Sequence, residues 1–347
     1  MTAPLVSVVI PLRDDAGTIA ACLAGVLAQD YSALEVVVAD GGSRDGSREI
    51  VHAVARRDAR VRIVDNPAGS IPAGLNAAIR AAHGDVIARV DARAVLEPTY
   101  VSAGVRLLAD TGAANVGGAV RSATPGYRGR LLGLVTESRF GMGGAAVRYG
   151  HEHAGDVDTV YLGMFPRHVL ETVGLYDEQL ERSEDEGMNF RLRARGGRVL
   201  LSPAMRSRYL NAPSLRRFVR KAFWNGFWKV RVLQKYPQMA SVRHLVPPAF
   251  ALGVMAGVPA ALASTAAAVV VTGALGLYGM LAIGAGVATA RRHGWRYAPA
   301  LPACYLTLHL AWGLGFLAGA VRFLPDGVAV DSHPPVLAPV AQERIAA

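Results

Sequence analysis

Two apolar runs in the N-terminal third of this chain each stop at an aspartate, and no other feature restricts the fold as much. Glu35-Val-Val-Val-Ala-Asp40 leads into Gly41-Gly-Ser-Arg-Asp-Gly46, and Asp85-Val-Ile-Ala-Arg-Val-Asp91 leads into Ala92-Arg93. Runs this short, β-branched and continuous predict strands covered on both faces. Val6-Ser-Val-Val-Ile10, closed by Pro11, predicts the first strand, and Val61-Arg-Ile-Val64 the third. Between the first two strands, Thr18 to Leu27 sets Ile19, Cys22, Leu23, Val26 and Leu27 on one helical face. Ser43 to Arg56 and Ile71 to Ala82 read as helices in the same way. Strand–helix alternation with short connections predicts an α/β fold, a Rossmann-like, mostly parallel sheet with flanking helices. Such sheets bind ligands outside the C-terminal strand ends, where Asp40 and Asp91 stand.

The other end of the chain has a different character. Hydrophobic residues make up 52% of the sequence, mean hydropathy is +0.26, and the excess is C-terminal. No charged residue occurs from Leu245 to Ala290, enough for two membrane spans of about 20 residues each. Arg291-Arg-His-Gly-Trp-Arg296 interrupts, and Ala298 to Ala320 offers a third span. The expected transmembrane helices are 249–270, 272–290 and 298–320, within a region 245–322. If residues 1–212 are cytosolic, two spans return the chain to the cytosol at Arg291, Arg292 and Arg296, as the positive-inside rule asks. The expected location is the plasma membrane. Gly253-xxx-Gly257 and Gly315-xxx-Gly319 suit close helix approach.

The net charge of +10 comes almost wholly from arginine, the lysines being Lys221, Lys229 and Lys235. Basic residues gather in the 213–244 region, around Leu215, Phe218, Val219, Ala222, Phe223, Gly226, Val230 and Leu233 at helical spacing, with Trp224 and Trp228 at the flank. That suits an amphipathic helix in the membrane interface, contacting anionic lipid rather than nucleic acid. A helix packed on the preceding domain is the alternative. Cys22 and Cys304 are far apart and form no disulfide or metal pattern. Met1-Thr-Ala-Pro4 lacks the basic region of a signal peptide, and the Pro- and Ala-rich 323–347 stretch reads as a disordered tail.

Several chemistries find no support. There is no GxxxxGK[ST] loop, no GxGxxG after the first strand and no GxSxG. Gly141-Met-Gly-Gly144 follows no strand and reads as a loop. His151-Glu-His153 has poor metal-ligand spacing without further ligands.

Val8-Val-Ile-Pro11-Leu-Arg-Asp-Asp15, Ala39-Asp-Gly-Gly-Ser-Arg-Asp-Gly46, Asp91-Ala-Arg93 and Glu184-Asp185 occur in this order. Together they resemble the landmarks of family 2 glycosyltransferases, which have the GT-A fold. Ile71-Pro-Ala-Gly-Leu-Asn76, Asp158-Thr-Val-Tyr-Leu-Gly163 and Arg243-His-Leu-Val-Pro-Pro248 look like the succinoglycan-type branch of membrane-attached glucosyltransferases. The resemblance implies that Pro11, Arg13, Asp15, Asp40, Asn76, Asp91 and Arg93 surround a nucleotide-diphosphate sugar. Asp40 would accept from the base of a uridine-type nucleotide. Asp91 would hold Mg²⁺ or Mn²⁺ against the diphosphate.

At Arg93 the usual motif has an acidic residue or His instead. A guanidinium cannot ligate a cation but can clamp phosphate, so metal dependence is expected to be weak or dispensable. Asp185, in an acidic pair opening a helix, is the expected general base of an inverting transfer. Asp177-Glu178 reads as loop and cap chemistry. Glu184, Tyr161, Trp224 and Trp228 are the expected acceptor-side residues, although Tyr161 also suits a packed strand aromatic.

The expectation is therefore an inverting hexosyltransferase acting on a lipid-linked or polysaccharide acceptor at the cytosolic membrane face, in cell-envelope or exopolysaccharide synthesis. A processive synthase is disfavoured because Gln-x-x-Arg-Trp is absent, Trp224-Asn-Gly-Phe-Trp228 standing near its place. The alternatives are a non-catalytic membrane-attached nucleotide-sugar-binding module, which Arg93 favours, and a nucleotidyltransferase, which Arg13-Asp-Asp-Ala-Gly17 matches poorly.

Overall fold

The computed structural model describes residues 3–123, 126–143, 154–210 and 214–327. They fall into two compact units, one of residues up to Arg121 with the 154–210 stretch, the other of the 122–143 and 214–327 stretches. His151-Glu-His153, Gly144 and the tail from 328 onward lie outside the described residues.

In the first unit the strands are β1 (Val6–Leu12), β2 (Leu34–Asp40), β3 (Val61–Asp65), β4 (Val86–Arg89), β5 (Ala94–Leu96), β6 (Asn115–Gly118), β7 (Val120–Ser122), β8 (Gly155–Asp156), β9 (Tyr161–Pro166), β10 (Val199–Leu201) and β11 (Ser207–Tyr209). The main sheet runs β3-β2-β1-β4-β9-β6-β10-β8, and β5-β11-β7 form a smaller one. β1, β2, β3 and β4 pair in parallel, as the alternation predicts. β9 runs antiparallel to both β4 and β6, so the sheet is mixed.

Helices α1 (Ile19–Leu27), α2 (Ser47–Ala55), α3 (Ile71–Ala81) and α4 (Tyr100–Thr111) follow the first strands. The predicted start of α2 moves from Ser43 to Ser47 because Gly46, at φ 92°, takes the left-handed conformation that ends the preceding turn. Alternate strand residues point to opposite faces. Val8, Ile10, Val36 and Val38 meet α1, α2 and α4, while Val9, Val37 and Ala39 meet α3 and two later helices described below. Each fully buried Val, Leu or Ile side chain contributes about 1.5–3 kcal/mol, and covering both faces is why these strands are apolar throughout.

The second unit opens with α5 (Gly126–Glu137) and α6 (Arg139–Met142). The chain then returns to the first unit for α7 (Arg167–Val173) and α8 (Glu184–Ala194), the helices completing the α3 face. The second unit resumes with α9 (Leu215–Lys235), α10 (Val246–Ala263), α11 (Thr265–His293) and α12 (Leu301–Phe323). Among the described residues, three segments are long and apolar enough to cross a membrane: Val242–Ala263, Thr265–His293 and Leu301–Phe323. The first break falls at Ser264, which is extended and precedes Thr265; serine is a favoured residue before a helix start. Leu262 is 89% exposed and Val270 70%, as suits side chains of helices that could span a membrane. Leu131, Leu134 and Val135 of α5 share a core with Tyr305, Leu308 and Ala311 of α12.

The stripe of α9 expected to face lipid is covered by α12 instead. Ala222, Gly226 and Val230 are buried, while Arg216, Arg217, Arg220 and Lys221 stay exposed. A methyl at Gly315 would overlap the Phe223 carbonyl, one at Gly319 the Phe227 carbonyl, and one at Gly226 the Trp312 carbonyl. Gln234 Nε2 donates to the Phe323 carbonyl at 2.7 Å. Three of these pairings, Phe223 with Gly315, Phe227 with Gly319 and Gln234 with Phe323, rise together in number, so α9 and α12 run parallel at backbone contact. Gly257 approaches Val271, whereas a Cβ at Gly253 meets nothing within 4 Å.

Gly315→Leu is therefore expected to force α9 from α12, at an overpacking cost of about 1–3 kcal/mol. Gly253→Leu should be neutral. Thermal stability of the two detergent-solubilised variants, followed by size-exclusion chromatography, checks the contrast.

Candidate active site

The parallel register sets three strand ends level: Leu12 lies beside Asp40, and Val9 beside Arg89, one turn of the pleat below Asp91. Asp40 is buried and accepts from Ser43 N–H at 3.3 Å and from Arg48 Nη1 at 3.1 Å. Arg48 also pairs with Asp65 at 2.8 Å.

The loops after β1 and β2 are laced together. Ser43 Oγ accepts from Asp14 N–H, Ser47 Oγ from Asp15 N–H, and Asp45 Oδ2 from Ala16 N–H, at 3.1, 2.8 and 2.9 Å. In return Asp14 Oδ1 accepts from Arg44 N–H at 2.8 Å. The Ser-Arg-Asp-Gly-Ser run thus fixes the backbone around Asp15. Arg13 extends the lacing by donating to the Gly69 carbonyl at 3.0 Å. Pro11 stands within β1, close to Gly74 of α3.

A second cluster gathers around Asp91. Arg89, 6% exposed in its side chain, places Nη2 2.6 Å from Glu184 Oε1 and 3.2 Å from Asp91 Oδ1. Tyr161 donates its hydroxyl to Asp91 Oδ2 at 2.9 Å, and burial beside that carboxylate pushes its own ionisation far up. Tyr161 also meets the ring of Tyr209 edge-on at 6.0 Å. Arg93 Nε donates to Asp15 Oδ1 at 2.5 Å. Burial raises Asp15 above the usual carboxylate range, with Arg93 opposing the rise.

Asp185 sits in the first turn of α8, where its Oδ1 accepts from Glu186 N–H at 2.8 Å. Burial first, and then the neighbouring Glu184 charge, push its ionisation up to about 7, against the pull of Arg89.

Backbone strain marks the same places. Among the described residues, the non-glycine positions with left-handed φ are Asp14, Leu162 and Ser183. Each adjoins a site residue: Asp15, Tyr161 or Glu184. Strained backbone of this kind persists where the surrounding structure over-determines it, and clusters at functional sites.

The structure thus brings together Asp15, Asp91, Arg93, Tyr161, Glu184 and Asp185, with Asp40 at the end of β2 and Arg13 on the adjoining loop. Asn76 is committed elsewhere: it donates to the Tyr176 carbonyl and Glu178 Oε1, each at 2.8 Å, and accepts from Tyr176 N–H at 2.9 Å. Both amide hydrogens and the amide oxygen are engaged in pinning that loop, an arrangement its motif did not signal. Asp177 Oδ1 accepts from Gln179 N–H at 3.1 Å, as loop chemistry requires. Trp224 and Trp228 belong to the second unit, where they pack against Phe227 and Phe323 at ring distances of 5.0 and 5.3 Å.

Sequence reasoning passed over Arg89 and Ser47. The available signal for Arg89 was a charged residue inside an otherwise apolar strand, which burial permits only if it is paired. Among the described residues, no three His, Cys, Asp or Glu side chains group to hold a metal ion. Asp91 alone still suits Mg²⁺ or Mn²⁺, because such ions are commonly held by one carboxylate together with substrate phosphates.

Asp185 also bears on stability. Its folded value lies above the ordinary 3.8, so from about pH 4 to about pH 7 the folded chain holds a proton that the unfolded chain releases. Stability from this group falls as pH rises through that window. Asp185→Asn is expected to gain in melting temperature over the wild type progressively from pH 4 to pH 8, read by thermal unfolding.

Comparison with known proteins agrees with this geometry. Residues 7–157 match the family described as Glycosyl transferase family 2, a stretch that ends before Glu184. Succinoglycan biosynthesis protein ExoA of Rhizobium meliloti (strain 1021) is 28% identical over 288 residues, 81% of this chain and 84% of that protein. Glycosyltransferase AglE of Haloferax volcanii is 35% identical over 128 residues, 36% of this chain and 42% of that protein. Among solved structures, the mannosyltransferase PcManGT from Pyrobaculum calidifontis, in complex with GDP-Man and Mn²⁺, superposes with a TM-score of 0.62. It is 20% identical and covers 91% of this chain and 88% of its own. That likeness shows the shared fold.

Proposed function

We propose that this chain, a glycosyltransferase carrying a family 2 domain over residues 7–157, moves a hexose from a nucleotide-diphosphate donor to a glycan or lipid-linked acceptor, with inversion. The observation that carries the reading is the juxtaposition of Asp91 with Glu184-Asp185 across one buried guanidinium. It pairs a carboxylate suited to the diphosphate side with one suited to take a proton.

Asp15, on one laced loop, and Asp40, at the strand end where the other begins, flank the nucleotide, Asp40 accepting from a base N–H. Asp91 is the residue that would hold Mg²⁺ or Mn²⁺. When bound, such an ion neutralises charge on the leaving diphosphate. Arg93, held by Asp15, brings a guanidinium to the same side and shares that task. Asp185 removes the acceptor hydroxyl proton as the oxygen attacks the anomeric carbon and the diphosphate departs. A base poised near neutrality is ionised often enough to accept and basic enough to drive transfer.

The membrane setting follows from the second unit. Its three apolar helices hold the enzyme at a bilayer, with Arg216, Arg217, Arg220 and Lys221 exposed for anionic headgroups and the catalytic unit on the cytosolic face. An acceptor used there is lipid-linked or a growing polysaccharide. The likeness to a succinoglycan biosynthesis protein supports exopolysaccharide or cell-envelope synthesis.

The test is UDP or GDP release by detergent-solubilised protein across a panel of donor sugars, with bacterial lipid extract as acceptor. Asp185→Asn is expected to lose about 10²–10⁴-fold in kcat. Wild-type activity should rise with pH through about 7 as Asp185 ionises. Nucleotide binding without release, for every donor, would favour a non-catalytic binding module instead.

Metal dependence is a separate measurement on the same protein. EDTA is expected to lower activity without abolishing it, and Arg93→Ala to make the loss more severe. A loss in EDTA that Arg93→Ala leaves unchanged would remove Arg93 from the phosphate side.

A further inference from the structure

Arg89 lies on β4 in the centre of the main sheet, where a charge is expensive to bury. Its guanidinium is nonetheless almost wholly enclosed. Nε and Nη2 both reach Asp91 Oδ1, at 3.3 and 3.2 Å, and Nη2 reaches Glu184 Oε1 at 2.6 Å. Its Cζ lies 5.7 Å from the Tyr176 ring centroid. Nη1 is buried without a hydrogen-bond partner, so the fold leaves one of its donors unspent. Replacing a whole buried ionic cluster by well-packed apolar groups is often neutral or stabilising, so such a cluster is weak evidence of a purely structural role, although removing Arg89 alone would leave Glu184 buried and unpaired. The arrangement therefore calls for a functional account.

Asp91 and Glu184 come from opposite ends of the site. One closes a strand on the donor side, and the other opens the helix that carries Asp185. We propose that Arg89 is a positioning residue for the transfer, clamping the donor-side carboxylate and the acceptor-side acidic pair onto one guanidinium so that the two halves of the site share geometry and charge. This rests on the reading of the site as a glycosyltransferase centre.

The sharing has a definite sign. The charged or titratable groups facing Asp185 are Glu184 and Glu186 on its own helix, Arg89 from β4 and Tyr176 from the loop before α8. Removing the Arg89 cation leaves Glu184 unopposed and makes Asp185 harder to ionise. Removing the Glu184 charge does the reverse.

The experiment is the pH dependence of kcat for wild type, Arg89→Met, Arg89→Lys and Glu184→Gln, with each variant's thermal melt as a control for folding. Arg89→Met is expected to cut kcat about 10²-fold, in the range of general-base effects, and to move the acid limb up by at least half a pH unit. Arg89→Lys, which keeps the charge but loses the fork, should recover the limb position while remaining at least about 10-fold slow. Glu184→Gln should move the limb down. If Arg89→Met does not fold, Glu184→Gln and Arg89→Lys still decide the matter.

An active wild type whose acid limb stays fixed in Glu184→Gln, or an Arg89→Met variant within threefold of wild-type kcat, overturns the inference and leaves the proposed function standing. A wild-type chain inactive with every donor overturns both.

Discussion

The parallel register of β1 with β2 and β4 is the constraint on which the catalytic unit depends. Pairing Val6 with Leu34 and with Val86 leaves both neighbours of β1 ending at one edge. A one-residue slip would turn Val8 and Ile10 from the α1 face to the α3 face and carry the acidic ends with them. With apolar side chains on both faces, a slip is opposed by close packing, because each side chain would enter a space shaped for another. The core thereby fixes where Asp40 and Asp91 emerge, and the loops laced by Ser43, Asp45 and Ser47 need only hold what the sheet has already placed.

Upon that frame the site is organised by charge more than by shape. Arg48 answers Asp40 and Asp65, Arg93 answers Asp15, and Arg89 answers Asp91 and Glu184. Each guanidinium offers donors in a rigid fork, and Arg93 and Arg89 use theirs to couple elements distant in sequence. Asp185 is the exception, a half-buried carboxylate beside a like charge, and the imbalance keeps it near neutrality.

Most of the β1-to-β4 half was legible because its signals are local. β-branched runs closed by Asp40 and Asp91, and the apolar face of α1, follow from periodicity within about ten residues. The acidic pair Glu184-Asp185 was legible as a helix start. What escaped depends on partners far along the chain. The antiparallel course of β9 depends on strands that surround it in space, and the commitment of Asn76 depends on a loop a hundred residues away. The apolar stripe of α9 was read correctly as a stripe, but the sequence does not say whether lipid or another helix covers it. Gly226, Gly315 and Gly319 answer that only once the helices are seen together. Arg89 escaped because Glu184, the partner that lets a charge sit in a covered strand, lies 95 residues further along the chain.

The grouping of α5 and α6 with α9 to α12 has a consequence for how the chain is made. Leu131, Leu134 and Val135 leave the ribosome long before Tyr305, Leu308 and Ala311, against which they pack. During synthesis this hairpin can meet Ala222 of α9 and Ala290 of α11, which share the same core, but it lacks the larger α12 set until the chain has passed Leu301. Late contacts between distant segments are slow to form and expose apolar surface meanwhile. Assembly of the second unit is thus tied to the arrival of α12, and a chain halted before Leu301 would carry a hairpin whose apolar side has lost its α12 partners.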